Sequence, residues 1–298
     1  MPAKLGAAEL NYDSASLVLR EESSPRASGN KGGSGVPTAL ITGASSGLGE
    51  QFAYALAQQK YDLVLTARRA DPLAAVAGKA RKLGAGMVKV ISADLARRDT
   101  PTEIFTQIEA LRLHIDYLVN NAGFGTSGRF DRLPLARELE ELDLNVSGLV
   151  AMTRLFLPAM VARHRGTIIN VASTAAFQAL PFMATYAASK AFVLNFTVAL
   201  AGELAGTGVK VSALCPGPVR TEFQAVAKNE HGRLPSFAYL EAETVVAQGI
   251  AAAESGRSVH IAGVINFLTA QSTRLMPRAL INFVSRRIYR PNADTPAP

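Results

Sequence analysis

One cysteine in 298 residues is the first constraint. Cys215 can form no intrachain disulfide, and a structural zinc site built from cysteines is excluded as well. A lone thiol fits a reducing compartment. The four histidines, His114, His164, His231 and His260, show no ligand spacing, so no metal is assigned. Apolar runs long enough to span a bilayer are also lacking. Near the start, "SASLVLR" is too short for the apolar centre of a signal peptide, and Glu9, Asp13, Glu21 and Glu22 are out of place in a mitochondrial transit peptide. A cytoplasmic protein is the expectation. A large excess of one charge is missing too. The 31 basic and 24 acidic residues leave a net +7 with no nucleic-acid-reading motif, so no nucleic-acid partner is expected.

What is present is ample apolar content, 48 % hydrophobic against 18 % charged residues, enough for a core. Residues 1–36 stand apart: "EESSPRASGNKGGSGVP" is rich in Ser, Gly, Pro and charge and reads as a disordered tail. From Thr38 the pattern changes. Short β-branched runs at 38–42, 61–67, 86–92, 115–120, 166–172 and 209–215 read as buried strands. Longer helical patterns separate them, at 47–59, 71–83, 101–111, 134–163 and 183–205. Hairpin signals are missing between them. Alternation of this kind calls for an α/β fold of the Rossmann type, a doubly wound parallel sheet with helices on both faces, as a single domain over 37–263.

The first strand runs into "TGASSGLG", which places Gly43, Gly47 and Gly49 between strand and helix. One glycine permits the tight turn, a second lets the backbone approach a pyrophosphate, and a third lets the helix pack close to the sheet. Backbone N–H groups at the helix start then face phosphate oxygens. The second strand ends in "TARRADP". An acidic residue at this strand end would suit a ribose 2′-hydroxyl, whereas Arg68 and Arg69 offer planar donors to a 2′-phosphate. NADP(H) is therefore expected over NAD(H).

Further along, "ATYAASKAF" sets Tyr186 and Lys190 four apart, on one face of a helix. Alone, that spacing is equally that of a solvated face. The order of "TGASSGLG", "ADL" (93–95), "NNAG" (120–123), Asn145, Ser173, "YAASK" (186–190) and "PGPVRT" (216–221) resembles the short-chain dehydrogenase/reductase family over residues 38–262, and is similar to a bacterial NADP-dependent branch of it. The resemblance implies that Tyr186 is the acid for carbonyl reduction and the base for alcohol oxidation. It implies that Lys190 holds the nicotinamide ribose and lowers the tyrosine pKa. Ser173 would bind the substrate oxygen, and Asn145 would support a water relay to the lysine. Asp94 would meet the adenine, Asn121 the adenosine ribose side, and Thr221 the carboxamide. Ser45 and Arg68 match positions that hold a 2′-phosphate. Ser46, Leu48, Leu95, Ala122, Gly123, Pro216, Gly217 and Val219 complete the implied cofactor contacts, together with the three glycines of the turn, Tyr186 and Lys190.

Substrate-side residues are less legible. Phe177, Phe182, Phe223 and Phe237 serve either as packing or as an apolar pocket wall, and the stretch "QAVAKNEHGRLPSFAYLE" is expected to carry specificity. Residues 264–298 form an amphipathic extension. Met276, Leu280, Phe283 and Val284 share a helical face, with Arg278 and Arg286 largely opposite. A helix over 264–290 docked on the body or on a second subunit of a homo-oligomer is expected, with peripheral contact to anionic lipid as the alternative. The functional expectation is an NADPH-dependent reductase of a small, apolar carbonyl compound, or the reverse alcohol oxidation. An acyl-chain or steroid-like ketone reductase at a membrane surface is the alternative within enzymes. A non-catalytic NADPH-sensing binding protein is the alternative of another class.

Overall fold

A computed structural model of the chain describes residues 35–220 and 239–290. Most of the tail, and Thr221, Phe223, His231 and Phe237, lie outside the described residues.

Seven parallel strands form one sheet in the order β3-β2-β1-β4-β5-β6-β7. They are β1 (Thr38–Thr42), β2 (Asp62–Ala67), β3 (Val88–Ser92), β4 (Ile115–Asn120), β5 (Gly166–Val171), β6 (Val209–Cys215) and β7 (Val259–Ile261). β1 and β2 are buried along their whole length, as strands covered on both faces must be. β3, at the edge, alternates between buried and exposed. Between β1 and β4 the winding reverses direction. That is the topological switch point, where a crevice opens at the carboxyl ends of the strands.

Helices cover both faces. On one side pack α1 (Gly47–Gln58), α2 (Ala70–Leu83) and α7 (Ala242–Glu254), through Phe52, Leu56, Leu73, Val76, Val245 and Ile250. On the other lie α3 (Thr100–Ala110), α5 (Leu149–Ala162) and α6 (Ala184–Glu203), through Ile104, Ile108, Met152, Phe156, Met160 and Leu200. The expected doubly wound sheet is thus observed. The β7 strand and α7 were not anticipated.

The helical pattern read over 134–163 is three pieces. α4 (Leu135–Leu142) passes through one π-helical turn (Asp143–Gly148) into α5. This continuous run is long and apolar enough to cross a bilayer, with a mean hydropathy of 1.5 over its best window, contrary to the sequence expectation. Only its second half is a core helix: α5 packs against α3, β4 and β5, while Leu135, Leu139 and Leu142 of α4 are exposed. A buried polar chain ties the sheet to the helices on this side. Asn120 Nδ2 donates to Thr153 Oγ1 and to Asn170 Oδ1, and Asn170 Nδ2 donates to Thr197 Oγ1. Asn120 Oδ1 finds no hydrogen-bond partner among the described residues, so the chain joins sheet and helices without being fully satisfied.

The expected single C-terminal helix is broken. Pro277 follows Met276, and the segment forms α8 (Val264–Ser272) and α9 (Arg278–Tyr289). Proline removes a backbone donor and fits the start of the second helix better than the interior of one long one. Phe267, Leu268, Leu280 and Phe283 remain exposed, so their docking on the body of the same chain does not occur.

Candidate active site

A cavity of about 460 Å³ opens at the switch point and runs from the glycine turn to the start of α6. At one end lie Gly43, Ser45, Ser46, Gly47 and Leu48. Gly43 and Gly47 have φ of +64° and +60°, the left-handed region where a side chain is strained, so the turn needs glycine at both. Gly49 does not line the cavity. A Cβ there would collide with the Gly43 carbonyl, so its role is to let α1 pack against the turn.

Asn121 lines the cavity, but its side chain is engaged elsewhere. Nδ2 donates to the carbonyls of Thr42 and Gly43, at 3.0 and 3.2 Å. Thr42 Oγ1 accepts from the backbone N–H groups of Asn121 and Ala122. The end of β4 therefore clamps the glycine turn. Asp94 accepts from the Ala96 N–H and lines the wall beside Leu95. Ala122, Gly123, Pro216, Gly217 and Val219 line it as well.

Both arginines at the end of β2 border the cavity. Arg68 donates to Glu140 Oε1 at 2.9 Å, and Arg137 holds the other oxygen of that carboxylate. Arg69 Nη2 donates to Ser46 Oγ at 3.0 Å. The serine–guanidinium pair at the glycine turn is thus Ser46 with Arg69. Ser45 and Arg68, the positions that the family resemblance implies for a 2′-phosphate, also line the cavity.

At the other end Ser173, Tyr186 and Lys190 converge. Ser173 sits just past β5, where its Oγ accepts from the Ala175 N–H and caps a short 3₁₀ turn. Tyr186 and Lys190 are both buried on α6. Lys190 Nζ donates to the Val171 carbonyl at 2.8 Å. Burial pushes the Tyr186 phenol up to about 12, while its hydrogen bond with Ser173 pulls the other way. Burial also brings the Lys190 ammonium down to about 8. Desolvation is thus the largest influence on both groups.

Asn145 does not line the cavity. It lies buried in the π-turn, where Oδ1 accepts from the Phe124 N–H, and Nδ2 donates to the Phe124 carbonyl and to Ser189 Oγ. All its side-chain partners belong to the scaffold, and it fixes Phe124 in the cavity wall.

Sequence reasoning missed a buried acid beside this pair. Glu141 Oε2 accepts from both the N–H and the hydroxyl of Thr126 at 2.8 Å, while Oε1 is buried with no hydrogen-bond partner among the described residues. Burial lifts this carboxyl to about 7 against the pull of Thr126. Its charge favours the ammonium of Lys190 and raises Tyr186. Glu138, one turn earlier, accepts from the hydroxyl of Thr185, next to Tyr186. The side of α4 that faces inward carries these two acids, while its leucines, Leu135, Leu139 and Leu142, face out. Also missed were Leu180, Met183, Tyr239, Ile288 and Tyr289 in the wall. Phe177 and Phe182 do not line the cavity, and Phe177 packs beside Ala172 and Val193.

Comparison with known proteins agrees with this arrangement. The family profile "short chain dehydrogenase" matches residues 37–232. The ketoacyl reductase HetN of Nostoc sp. is 32 % identical over 239 residues, 80 % of this chain and 82 % of that protein. A short-chain dehydrogenase from Sphingobium yanoikuyae in complex with NADPH superposes with a TM-score of 0.72 at 30 % identity, covering 87 % of this chain and 99 % of that one. A short-chain dehydrogenase/reductase from Burkholderia phymatum in complex with NAD gives 0.71 at 26 %, covering 79 % and 92 %. With its parallel sheet, glycine turn and Ser173–Tyr186–Lys190 cluster, the chain belongs to the short-chain dehydrogenase family of oxidoreductases.

Proposed function

We propose that this protein is an NADPH-dependent reductase of an apolar ketone or aldehyde, with Tyr186 as the proton donor. The observation that carries the reading is one cavity with Ser173, Tyr186 and Lys190 at one end, and a glycine turn with two arginines at the other. The residues fit a dinucleotide: positive-φ glycines expose backbone N–H groups at the start of α1, and Arg69 and Ser46 present donors beside them. When bound, a reduced nicotinamide supplies the hydride. The neighbours in complex with NADPH and with NAD leave the 2′-phosphate preference to rest on Arg68 and Arg69.

The chain's own residues supply the rest. The Ser173 hydroxyl and the Tyr186 phenol converge on one position for a carbonyl oxygen. As that oxygen gains negative charge, Ser173 donates a hydrogen bond and Tyr186 transfers its proton. A phenol lifted to about 12 is fully protonated at neutral pH, which favours the reductive direction. Lys190 stays close as an ammonium and stabilises the phenolate left behind. Asn145 keeps Phe124 in the wall.

Leu180, Met183, Phe124, Ile288 and Tyr289 make the substrate end apolar, which supports a hydrophobic carbonyl compound such as an acyl-chain or steroid-like ketone. The resemblance to a ketoacyl reductase points the same way. The test is Tyr186→Phe. The ring keeps the packing and loses the proton, so turnover should fall by about 10²–10⁴-fold while NADPH binding persists. Retained turnover would remove Tyr186 from the role.

A further inference from the structure

The C-terminal helices carry two different surfaces. Ile288 and Tyr289 line the cavity, and Tyr289 packs against the cluster of Leu180, Met183 and Tyr186. Ile281 and Ser285 face inward on the same side of α9, and Thr273 Oγ1 donates to the Phe177 carbonyl. The segment is thus part of the wall of the site.

Its outer surface is apolar and uncovered. Val264 is 76 % exposed, Leu268 60 %, Leu275 90 % and Phe283 57 %. Several large apolar side chains exposed on one short segment mark a surface that meets a partner. From Val264 to Arg290 there are five arginines and no acid. On α9, helical spacing sets Arg286 and Arg290 on one side of Phe283 and Leu280 and Val284 on the other, and the Arg287 guanidinium lies 5.2 Å from the Phe283 ring.

The partner must therefore take up aliphatic and aromatic side chains and carry negative charge. The boundary between anionic headgroups and acyl chains meets both demands. A second copy does not. A twofold contact through this face would bury arginines of both copies with no acid from Val264 to Arg290 to pair them. An RNA or DNA backbone would answer the charge but leave Val264, Leu268 and Leu275 in water.

We propose that the outer face of α8 and α9 docks on an anionic lipid surface, seating the cavity wall that these helices form at the lipid boundary. The consequence for substrate, an apolar carbonyl compound drawn from that lipid, rests on the reductase reading. The docking itself does not.

The full chain is sedimented with phosphatidylcholine vesicles, with and without phosphatidylglycerol, at low and high salt. Bound protein should rise at least about tenfold with the anionic lipid and fall with salt. Leu268→Glu/Phe283→Glu and Arg286→Glu/Arg287→Glu should each cut binding about tenfold or more, with unchanged melting and NADPH affinity as the folding control. Equal sedimentation with and without vesicles overturns the proposal. So does a stable dimer that Phe283→Glu dissociates while vesicles bind nothing, which would make this face a contact between copies. Vesicle binding is read without turnover, so it stands or falls apart from the reductase reading.

Discussion

At the scale of single residues, the proposed catalytic pair, Tyr186 and Lys190, is governed by burial. Tyr186 stays protonated to about 12, so the first group to lose its proton as pH rises is Lys190, near 8. The rate of carbonyl reduction, as kcat/KM, should hold steady below about 8 and fall above it. Glu141 provides a check on this assignment. Its negative charge favours the ammonium, so Glu141→Gln should move the alkaline limb to lower pH while Thr126 keeps an oxygen acceptor. An unmoved limb would detach Glu141 from the pair. Stability gives an independent readout with its own sign. A carboxyl lifted from 4.5 to about 7 binds its proton more tightly in the folded state. That part of the stability is present below about 4.5 and is lost as pH rises through 7. Melting temperature in the parent should therefore drop across that window, and the drop should shrink in Glu141→Gln. Tyr186, Lys190 and Ser173 were legible because a motif names them. Glu138 and Glu141 were not, because on α4 apolar spacing points the wrong way: Leu135, Leu139 and Leu142 are exposed and the two acids are buried.

At the scale of elements, the strands were the most legible part. Thr38–Thr42, Ile115–Asn120 and Val209–Cys215 match the runs read from sequence, since strands buried on both faces are nearly pure aliphatic text. β7 has three half-buried residues and no such signature. α7 buries Ala252 and Ala253 while exposing Ala247 and Ala251, so its faces look alike in sequence. The C-terminal segment is two helices, and it meets the body through Ile288 and Tyr289 while Leu280, Phe283 and Val284 stay exposed, because an apolar face in sequence does not say what meets it. Two substitutions test how elements are joined at the cofactor end. Gly49→Ala places a methyl against the Gly43 backbone, so it should cost about 1–3 kcal/mol of stability by overpacking, read from denaturant unfolding. Arg69→Glu removes a donor beside Ser46 at the start of α2. Hydrogen bonds to charged groups contribute about 1.5–3 kcal/mol, so the preference for NADPH over NADH should narrow roughly tenfold or more. An unchanged ratio of dissociation constants would place the 2′-phosphate elsewhere.

At the scale of the whole molecule, a parallel sheet delivers two distant sequence regions to one crevice. The glycine turn after β1 and the Tyr–Lys pair on α6 are more than 130 residues apart, yet they line one cavity because both lie at the carboxyl end of the sheet. The C-terminal helices then close its substrate end. This assembly predicts a specific joint requirement: a reduced nicotinamide at one end and an apolar carbonyl at the other. The most direct measurement is a panel of ketones and aldehydes, from short polar to long-chain and polycyclic, scanned for oxidation of NADPH and of NADH by the parent protein and by Tyr186→Phe. The account predicts turnover with NADPH, concentrated among the bulky apolar carbonyls and lost in the variant. Oxidation of NADPH that is equally fast in Tyr186→Phe, or tight NADPH binding with no turnover on any carbonyl in the panel, would contradict it.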